Sequence, residues 1–275
     1  MESSGRGLFA STVPYYARFR PAYDHRLFTL LGTRFALDGT QRVLDLGAGT
    51  GALTLPLAAL VREVVAVDPE PAMLAEGRRL AAETGVDGID WRQGDSHTLL
   101  DLNVGPVLLA VMGASFHWMD REPLLQDLDT LIEPGGAVVL ATCGARHEDL
   151  DPPSWLPVVE EIRNRYPGTN RRPDSGPGAY PDVRHENVLL RSPFPRIETL
   201  HWDRTVRRTV DEVVGLQLSY SFTSPAALGP HRPAFEHDLR QALTALRPED
   251  GLFEERIRTE AVIARRPERE KPSPP

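Results

Sequence analysis

A short apolar segment that ends in a glycine-rich turn constrains the fold of this chain more than any other feature. Residues 43 to 46 are Val-Leu-Asp-Leu, three glycines follow within residues 47 to 51, and a second apolar segment at residues 64 to 67 ends at Asp68. Apolar runs of this length, separated by a helix-length segment, are typical of buried parallel strands. Glycine permits positive φ and close approach of a ligand to the backbone. The pattern predicts half of a nucleoside-binding βαβ unit, with Asp68 placed to accept hydrogen bonds from ribose hydroxyls.

The spacing of the glycines and the acidic residue before them bear on which nucleoside is bound. The dinucleotide pattern is Gly-x-Gly-x-x-Gly, and the helix that follows it receives a pyrophosphate at its N-terminus. Here the glycines are Gly47, Gly49 and Gly51, the next residue is Ala52, and Asp45 precedes the turn. A carboxylate at that point repels a pyrophosphate but suits a cationic ammonium group, directly or through water. The turn therefore disfavours a nicotinamide cofactor.

The turn resembles the first motif of the class I S-adenosylmethionine (SAM) dependent methyltransferases, which has this acidic residue and Gly-x-Gly-x-Gly. Three further segments of the sequence resemble segments of small-molecule enzymes of methyltransferase type 11, including those like trans-aconitate methyltransferase. These are a His-Trp pair that begins at His117, the Leu-x-Pro-Gly-Gly-like turn at residues 131 to 136, and Tyr-x-Arg-x-Arg-Pro-x-Tyr at residues 16 to 23. Ile132 and Glu133 shift the second pattern slightly. The resemblance covers about two thirds of the chain.

The resemblance implies SAM as the cofactor and gives roles to residues that follow the predicted strands. Asp68 would hold the ribose and Asp95 the adenine amino group, while Met73 would flank the ring. The residues predicted to bind the cofactor are Tyr16, Arg20, Asp45, Gly47, Ala48, Gly49, Gly51, Asp68, Pro69, Met73, Asp95, Ser96 and Met112. Other interpretations stay open, because Asp68 and Asp95 could cap turns or helices and Met73 could be a core residue.

His117 is the candidate catalytic residue. An imidazole can remove a proton from a substrate hydroxyl. The alternative, given equal weight, is that His117 and Trp118 support the cofactor turn or a pocket wall, because many methyl transfers are driven by positioning alone. The remaining histidines lack the spaced partners of a metal site, so no metal is predicted.

Strands and helices alternate regularly along the first half of the chain. Strands are predicted at residues 42 to 46, 63 to 67, 89 to 93, 106 to 111, 137 to 142, 197 to 202 and 256 to 264. Helices are predicted at residues 51 to 61, 71 to 84, 121 to 132, 154 to 166, 210 to 221 and 233 to 246. The alternation predicts an α/β, Rossmann-like fold, with a doubly wound, mostly parallel sheet of seven strands and helices on both faces.

The length fits a single domain, residues 1 to 266. Residues 145 to 195 break the alternation and form a predicted insertion between strands five and six, which together with residues 9 to 24 is expected to act as a lid. Arginines in the insertion could hold an acidic substrate, but acidic residues share the segment and favour a mixed solvated surface. Residues 267 to 275 are expected to be a disordered tail.

The amino-acid composition limits which binding partners and which cellular location are expected for this chain. Of the 275 residues, 41% are hydrophobic and 25% charged, as is ordinary for a soluble globular protein. The net charge of -8 gives no global support for binding nucleic acid or an anionic membrane. No apolar run could span a membrane, the polar start lacks a signal-peptide core, and Cys143 is the single cysteine. A cytoplasmic location is expected, without an internal disulfide or a cysteine metal cluster.

Together these features predict a SAM-dependent methyltransferase that acts on a hydroxyl or carboxylate of a small molecule, as a monomer or homodimer. Aromatic residues are expected to wall its pocket, since their faces attract a sulfonium; these are Tyr15, Tyr16, Tyr23, Phe116 and Trp118. One alternative is a SAM-binding protein of the same fold without methyl transfer, a cyclase or a binding module. Another is a nicotinamide oxidoreductase, against which Asp45 and Ala52 argue. Nucleic-acid methylation is disfavoured, since no Asn/Asp-Pro-Pro-Tyr motif follows strand four.

Overall fold

The computed structural model describes residues 10 to 144, 150 to 166 and 184 to 267. Its strands form one seven-stranded sheet in the order β3-β2-β1-β4-β5-β7-β6. They are β1 (Arg42–Leu46), β2 (Glu63–Asp68), β3 (Ile89–Gln93), β4 (Val107–Gly113), β5 (Ile132–Gly144), β6 (Arg196–Arg208) and β7 (Phe253–Arg265). Strands β1 to β5 are parallel, and β7 runs antiparallel to both β5 and β6. The predicted mostly parallel, seven-stranded sheet is confirmed.

The helices come from every part of the described chain. They are α1 (Val13–Phe19), α2 (His25–Arg34), α3 (Thr54–Ala58), α4 (Pro71–Thr84), α5 (Arg121–Leu131), α6 (Leu156–Asn164), α7 (His185–Leu189), α8 (Val210–Leu218), α9 (Pro225–Leu228) and α10 (Arg232–Leu246).

Two apolar clusters cover the two faces of the sheet. Because successive strand residues point to opposite faces, Leu44 and Leu46 of β1 pack in the cluster that contains α5 and α7. Val43 of the same strand packs in the other cluster, with Leu27 and Leu31 of α2. Helices therefore lie on both faces, which confirms the doubly wound arrangement.

A third apolar cluster joins helices α1, α6, α8, α9 and α10, which we call the cap. Trp155 lies just before α6, and its side chain packs with Val214 of α8 and Phe235 of α10. Two of these helices, α1 and α6, fall within the predicted lid segments, whereas the other three lie between β6 and β7. The remainder of the predicted insertion at residues 145 to 149 and 167 to 183, and the predicted tail from residue 268, lie outside the described residues.

Strand β5 differs from its prediction. It begins at Ile132, so that the predicted turn at residues 133 to 136 belongs to the strand. The pairing of β4 with β5 shifts register between Val107 and Leu109, which accommodates the change. A Cβ on Gly136 would lie 2.1 Å from the Leu108 carbonyl oxygen, so glycine is required there by close approach of two backbones.

Candidate active site

The turn after β1 has the conformation that its glycines predict. The φ angles of Gly47, Gly49 and Gly51 are +77°, +55° and +90°, in the region that residues with a Cβ seldom adopt. The backbone N–H groups of Gly47 and Ala48 donate to the Val67 carbonyl oxygen at 2.8 and 3.0 Å, which joins the turn to β2. A Cβ on Gly49 would meet nothing within 4 Å. The turn is thus fixed from below and open above Gly49, as close approach of a ligand requires.

Asp68 ends β2 beside this turn. Its Oδ2 accepts from the Gly49 N–H at 2.8 Å and its Oδ1 accepts from the Glu70 N–H at 2.9 Å. Burial raises the pKa of Asp68, while these two hydrogen bonds act in the opposite direction. Each carboxylate oxygen can accept more than one hydrogen bond. Asp68 therefore anchors the turn and retains acceptor capacity of the kind that a ribose hydroxyl needs.

Asp45 lies beneath the turn and is 1% exposed. Its Oδ2 accepts from the Thr54 hydroxyl at 2.6 Å, whereas its Oδ1 is buried with no hydrogen-bond partner among the described residues. Burial raises the pKa of Asp45 to about 7, although the Thr54 hydrogen bond opposes the shift. A buried carboxylate with an unpartnered oxygen is stabilised by a nearby cation. The residue therefore fits the ammonium group of the predicted cofactor.

The segment after β4 packs against the same turn. Ser115 Oγ donates to the Leu46 carbonyl oxygen at 2.8 Å, and a Cβ on Gly47 would lie 2.4 Å from Ser115 Cβ. Ala114 has a φ of +52°, an uncommon conformation for a residue with a Cβ and one that clusters at functional sites. The predicted His-Trp segment is thus brought to the glycine turn by the pairing of β1 with β4.

His117 packs among other rings. Its ring centroid lies 5.3 Å from that of Trp118 and 6.5 Å from that of His185. Burial, with smaller contributions from His185 and Arg121, lowers the pKa of His117 to about 4. The imidazole is therefore neutral at pH 7, as a proton acceptor must be. His117 is not among the described residues that line the cavity between the sheet and the cap.

The remaining predicted cofactor residues divide between the sheet edge and the core. Asp95 caps the turn after β3, since its Oδ1 accepts from the backbone N–H groups of His97 and Thr98 at 3.1 Å. Ser96 beside it is buried, and Pro69 follows Asp68 directly. Met73 on α4 and Met112 on β4 are buried in the core. The capping interpretation of Asp95 is thus observed, and its adenine role stays a prediction.

The N-terminal segment also reaches this edge of the sheet. The Arg20 guanidinium lies over the Tyr16 ring at 5.0 Å and over the Tyr220 ring at 4.1 Å. A Cβ on Gly113, the last residue of β4, would lie 2.7 Å from the Tyr23 hydroxyl. Burial raises the pKa of Tyr23, and the nearby charge of Asp45 adds to the effect. Residues separated by more than 20 positions from the turn are therefore neighbours of its acidic residue.

A cavity of about 390 Å³ lies at the carboxyl end of β5, between the sheet and the cap. Cys143 and Gly144 line it from β5, Trp155 from the residue before α6, and Gln217 from α8. Arg20 also lines it. Since β4 separates β1 from β5, the strand that lines the cavity lies about 9.5 Å from the strand that carries the glycine turn.

Trp155 and Gln217 line the cavity but belong to no sequence motif. Trp155 occurs in a segment predicted only as helical, and its environment depends on helices distant in the sequence. Gln217 could have been noticed in the sequence, because it interrupts the apolar run of residues 213 to 218. In the structure its side chain is 2% exposed. A polar residue within an apolar helix that is buried on all sides indicates a specific polar contact or a site.

No group of three or more metal-ligating side chains occurs within the described ranges. No described helix is long and apolar enough to cross a membrane.

The open sheet with a glycine turn at the carboxyl end of β1 and an acidic residue at the end of β2 defines a nucleoside-binding enzyme of the Rossmann-like class. Residues 43 to 136 match the family model described as a methyltransferase domain. An uncharacterized methyltransferase of Mycobacterium tuberculosis is 33% identical over 221 residues, 79% of each chain. The chain therefore belongs to the SAM-dependent methyltransferase family, as its resemblance in sequence predicted.

Two further proteins are similar, one over a shorter part of the chain and one at lower sequence identity. A ubiquinone biosynthesis O-methyltransferase of Azorhizobium caulinodans is 31% identical over 37% of this chain and 40% of its own. A solved structure from Anaeromyxobacter dehalogenans, provisionally named a type II methyltransferase, has a TM-score of 0.61 and 23% identity, covering 90% of this chain and 98% of that one. This second similarity confirms the fold.

Proposed function

We propose that this methyltransferase transfers the methyl group of SAM to an oxygen atom of a small molecule, in a hydroxyl or carboxylate group. The main support for a small-molecule acceptor is the cavity beneath the cap. Its volume of about 390 Å³ falls within the range of about 300 to 1,000 Å³ that is usual for small-molecule sites. The name of the Azorhizobium relative, an O-methyltransferase, supports oxygen as the acceptor atom.

The cofactor site in this proposal is the glycine turn with its two carboxylates. Asp45 would face the ammonium group, Asp68 the ribose hydroxyls, and Gly49 would leave room for the cofactor against the backbone. Asp95 and Ser96 would bind the adenine at the end of β3, with Pro69, Met73 and Met112 as nearby candidates. Tyr16 is proposed to contribute an aromatic face from α1, which suits a sulfonium.

SAM supplies a methyl carbon that a nucleophile can attack while the bond to sulfur breaks and its electrons stay on sulfur. The protein then has to align the acceptor oxygen and exclude water. Trp155 and Tyr220 contribute aromatic side chains to the cavity wall. The cap is therefore the proposed source of both alignment and water exclusion.

The need for a base depends on the acceptor. A carboxylate is ionised at neutral pH and has no proton to lose. A hydroxyl has to lose its proton, and neutral His117 is the residue predicted for that step. The role of His117 stays a prediction, alongside the alternative that His117 and Trp118 support the cofactor turn or a pocket wall.

An acceptor other than nucleic acid remains part of the proposal, supported by the net charge of -8. A monomer or homodimer is also proposed. A cytoplasmic location is proposed as well. Burial raises the pKa of the single Cys143, which disfavours the reactive thiolate form.

The substitution Gly49→Val tests the cofactor site. The φ of Gly49, +55°, is strained for a β-branched residue, and the new side chain would fill the open space above the turn. We expect at least a 100-fold loss of affinity for SAM and for S-adenosylhomocysteine, measured by calorimetry. Gly39→Val is the matched control, because Gly39 has a φ of +87° and open space around its Cβ position, but precedes β1 at the opposite edge of the sheet.

The two variants give clear outcomes. Equal affinities in Gly49→Val and Gly39→Val would contradict the proposed cofactor site.

The transfer reaction is tested separately. The wild-type protein is incubated with methyl-labelled SAM and panels of alcohols, phenols, carboxylic acids and amines. Label on oxygen supports the proposal, and label on nitrogen or carbon alone contradicts it.

A further inference from the structure

We propose that the acceptor carries a carboxylate group and that Arg20, Trp155 and Gln217 hold this group in the cavity beneath the cap. The proposal rests on the proposed function, since it requires the cavity to be the acceptor site. It goes further by assigning the chemical class of the acceptor and three residues that determine specificity.

Arg20 lines the cavity, and its positive charge has no ion-pair partner among the described residues. Its guanidinium is held between the rings of Tyr16 and Tyr220, and its Nη2 donates to the Ser219 carbonyl oxygen at 3.3 Å. The described ion pairs place no carboxylate beside it, and its Nε is buried without a hydrogen-bond partner. In a chain with 39 acidic and 31 basic residues, an arginine left without a carboxylate at a cavity indicates an anionic ligand.

Two further donors belong to residues of the same cavity. Trp155 Nε1 and Gln217 Nε2 are buried, and neither has a partner among the described residues. Of the six buried side-chain atoms without partners in that part of the chain, three belong to residues that line this cavity, and all three are donors. A buried donor without an acceptor costs free energy. A ligand that has only acceptor atoms, such as a carboxylate, would remove that cost.

The other charges in the lining do not cancel Arg20. Glu255, which lines the cavity, accepts from Arg208 Nε in a buried ion pair, so its charge is already matched. Arg163, a second buried guanidinium in the lining, pairs with Glu160 at 3.9 Å. Among the described lining residues, Arg20 is therefore the guanidinium without an ion pair. The apolar part of the lining suits a hydrocarbon body and includes Leu150, Pro152, Pro153, Leu156 and Leu216.

The test measures small carboxylates against neutral isosteres on protein saturated with S-adenosylhomocysteine. The probes are phenylacetate, 4-phenylbutyrate and octanoate, each paired with its primary amide, and binding is followed by NMR titration. We expect at least one carboxylate to bind at least tenfold more tightly than its amide, because a charged hydrogen bond is stronger than a neutral one. The proposal is wrong if no carboxylate binds more tightly than its amide.

Variants then assign the preference to residues. Arg20→Gln is expected to abolish the preference for carboxylate. Arg165→Gln is the matched control, because Arg165 follows α6 on the surface and pairs with Glu161; it should leave the preference unchanged. Trp155→Phe keeps the ring but removes Nε1, so it should weaken the carboxylate about three- to tenfold even if Arg20→Gln does not fold.

The outcomes separate this inference from the proposed function. SAM and S-adenosylhomocysteine also carry a carboxylate, and Arg20 is predicted above as a cofactor residue. If Arg20→Gln weakens S-adenosylhomocysteine and leaves the carboxylate preference intact, Arg20 serves the cofactor and this inference fails. If the wild-type protein binds no S-adenosylhomocysteine, the proposed cofactor site itself fails.

Discussion

At the scale of single residues, Asp45 links cofactor binding to pH. Burial raises its pKa to about 7 from an ordinary value of 3.8. Because the folded protein holds this proton more tightly than the unfolded chain, the stabilisation from Asp45 is complete below pH 3.8 and is lost as the pH rises towards 7. An ammonium group bound beside Asp45 favours the ionised form. Binding of the cofactor therefore releases a proton wherever Asp45 is still protonated.

The affinity for S-adenosylhomocysteine should consequently fall about tenfold when the pH is lowered from 8 to 6, as expected for one proton released by a group with a pKa near 7. Calorimetry at several pH values measures this change. In Asp45→Asn the affinity should be weaker at pH 8 and nearly constant over the same range. Asp90→Asn, at a half-buried carboxylate of β3 that pairs with Arg92, is the control. A pH dependence that persists in Asp45→Asn would contradict this account.

Other carboxylates show why residue roles are harder to predict than residue positions. Asp68 and Asp95 were each predicted to bind the cofactor or to cap local structure, and both accept backbone N–H groups in the structure. A carboxylate can do both at once, since it has several acceptor sites. The sequence therefore locates these residues at the sheet edge but does not separate the two roles.

At the scale of secondary-structure elements, the contact of α1 with α8 controls the position of Arg20. A Cβ on Gly215 of α8 would lie 2.3 Å from the ring of Phe19, the last residue of α1. Gly215→Ala should therefore push α1 away from α8 and displace the residue that follows it. We expect a loss of about 1 to 3 kcal/mol in the free energy of unfolding, and a rise in the KM for the acceptor that exceeds the rise in the Kd for S-adenosylhomocysteine.

Chemical denaturation and steady-state kinetics measure the two effects. Gly32→Ala is the control, because Gly32 also lies within a helix but its Cβ position is 3.9 Å from the nearest side chain, Leu60. That substitution should stabilise the protein by about 0.5 to 1 kcal/mol, through the greater helix propensity of alanine. Equal effects from the two substitutions would show that α1 and α8 are not tightly packed.

The strands on the β3 side of the sheet were predicted most accurately. β1 and β3 match their predicted bounds, and β2 extends one residue further. β6 spans Arg196–Arg208, more than twice its predicted length, because it is an edge strand with few buried positions and thus little hydrophobic pattern. α1 was predicted only as a lid segment, since its apolar side chains pack on a helix 200 residues away.

At the scale of the whole molecule, β7 joins the sheet to the cap. Phe253 at one end of β7 packs in the cap cluster, whereas Ile263 and Val262 near the other end pack on the two faces of the sheet. This shared strand explains why the cap could not be predicted as a unit. Its helices come from three separate parts of the sequence, and only the three-dimensional packing brings them together.

The shared strand also predicts that the sheet and the cap unfold as one unit. Saturation with S-adenosylhomocysteine at 100 times its Kd should stabilise the folded protein by about 2.7 kcal/mol. For a chain of this size the Tm should then rise by about 5 to 10 °C. Calorimetry should show a single transition that moves as a whole in the wild type and in Gly39→Val, and that does not move in Gly49→Val. Two transitions of which only one responds would mean that β7 does not couple the cap to the cofactor turn, and that the cap opens independently of cofactor binding.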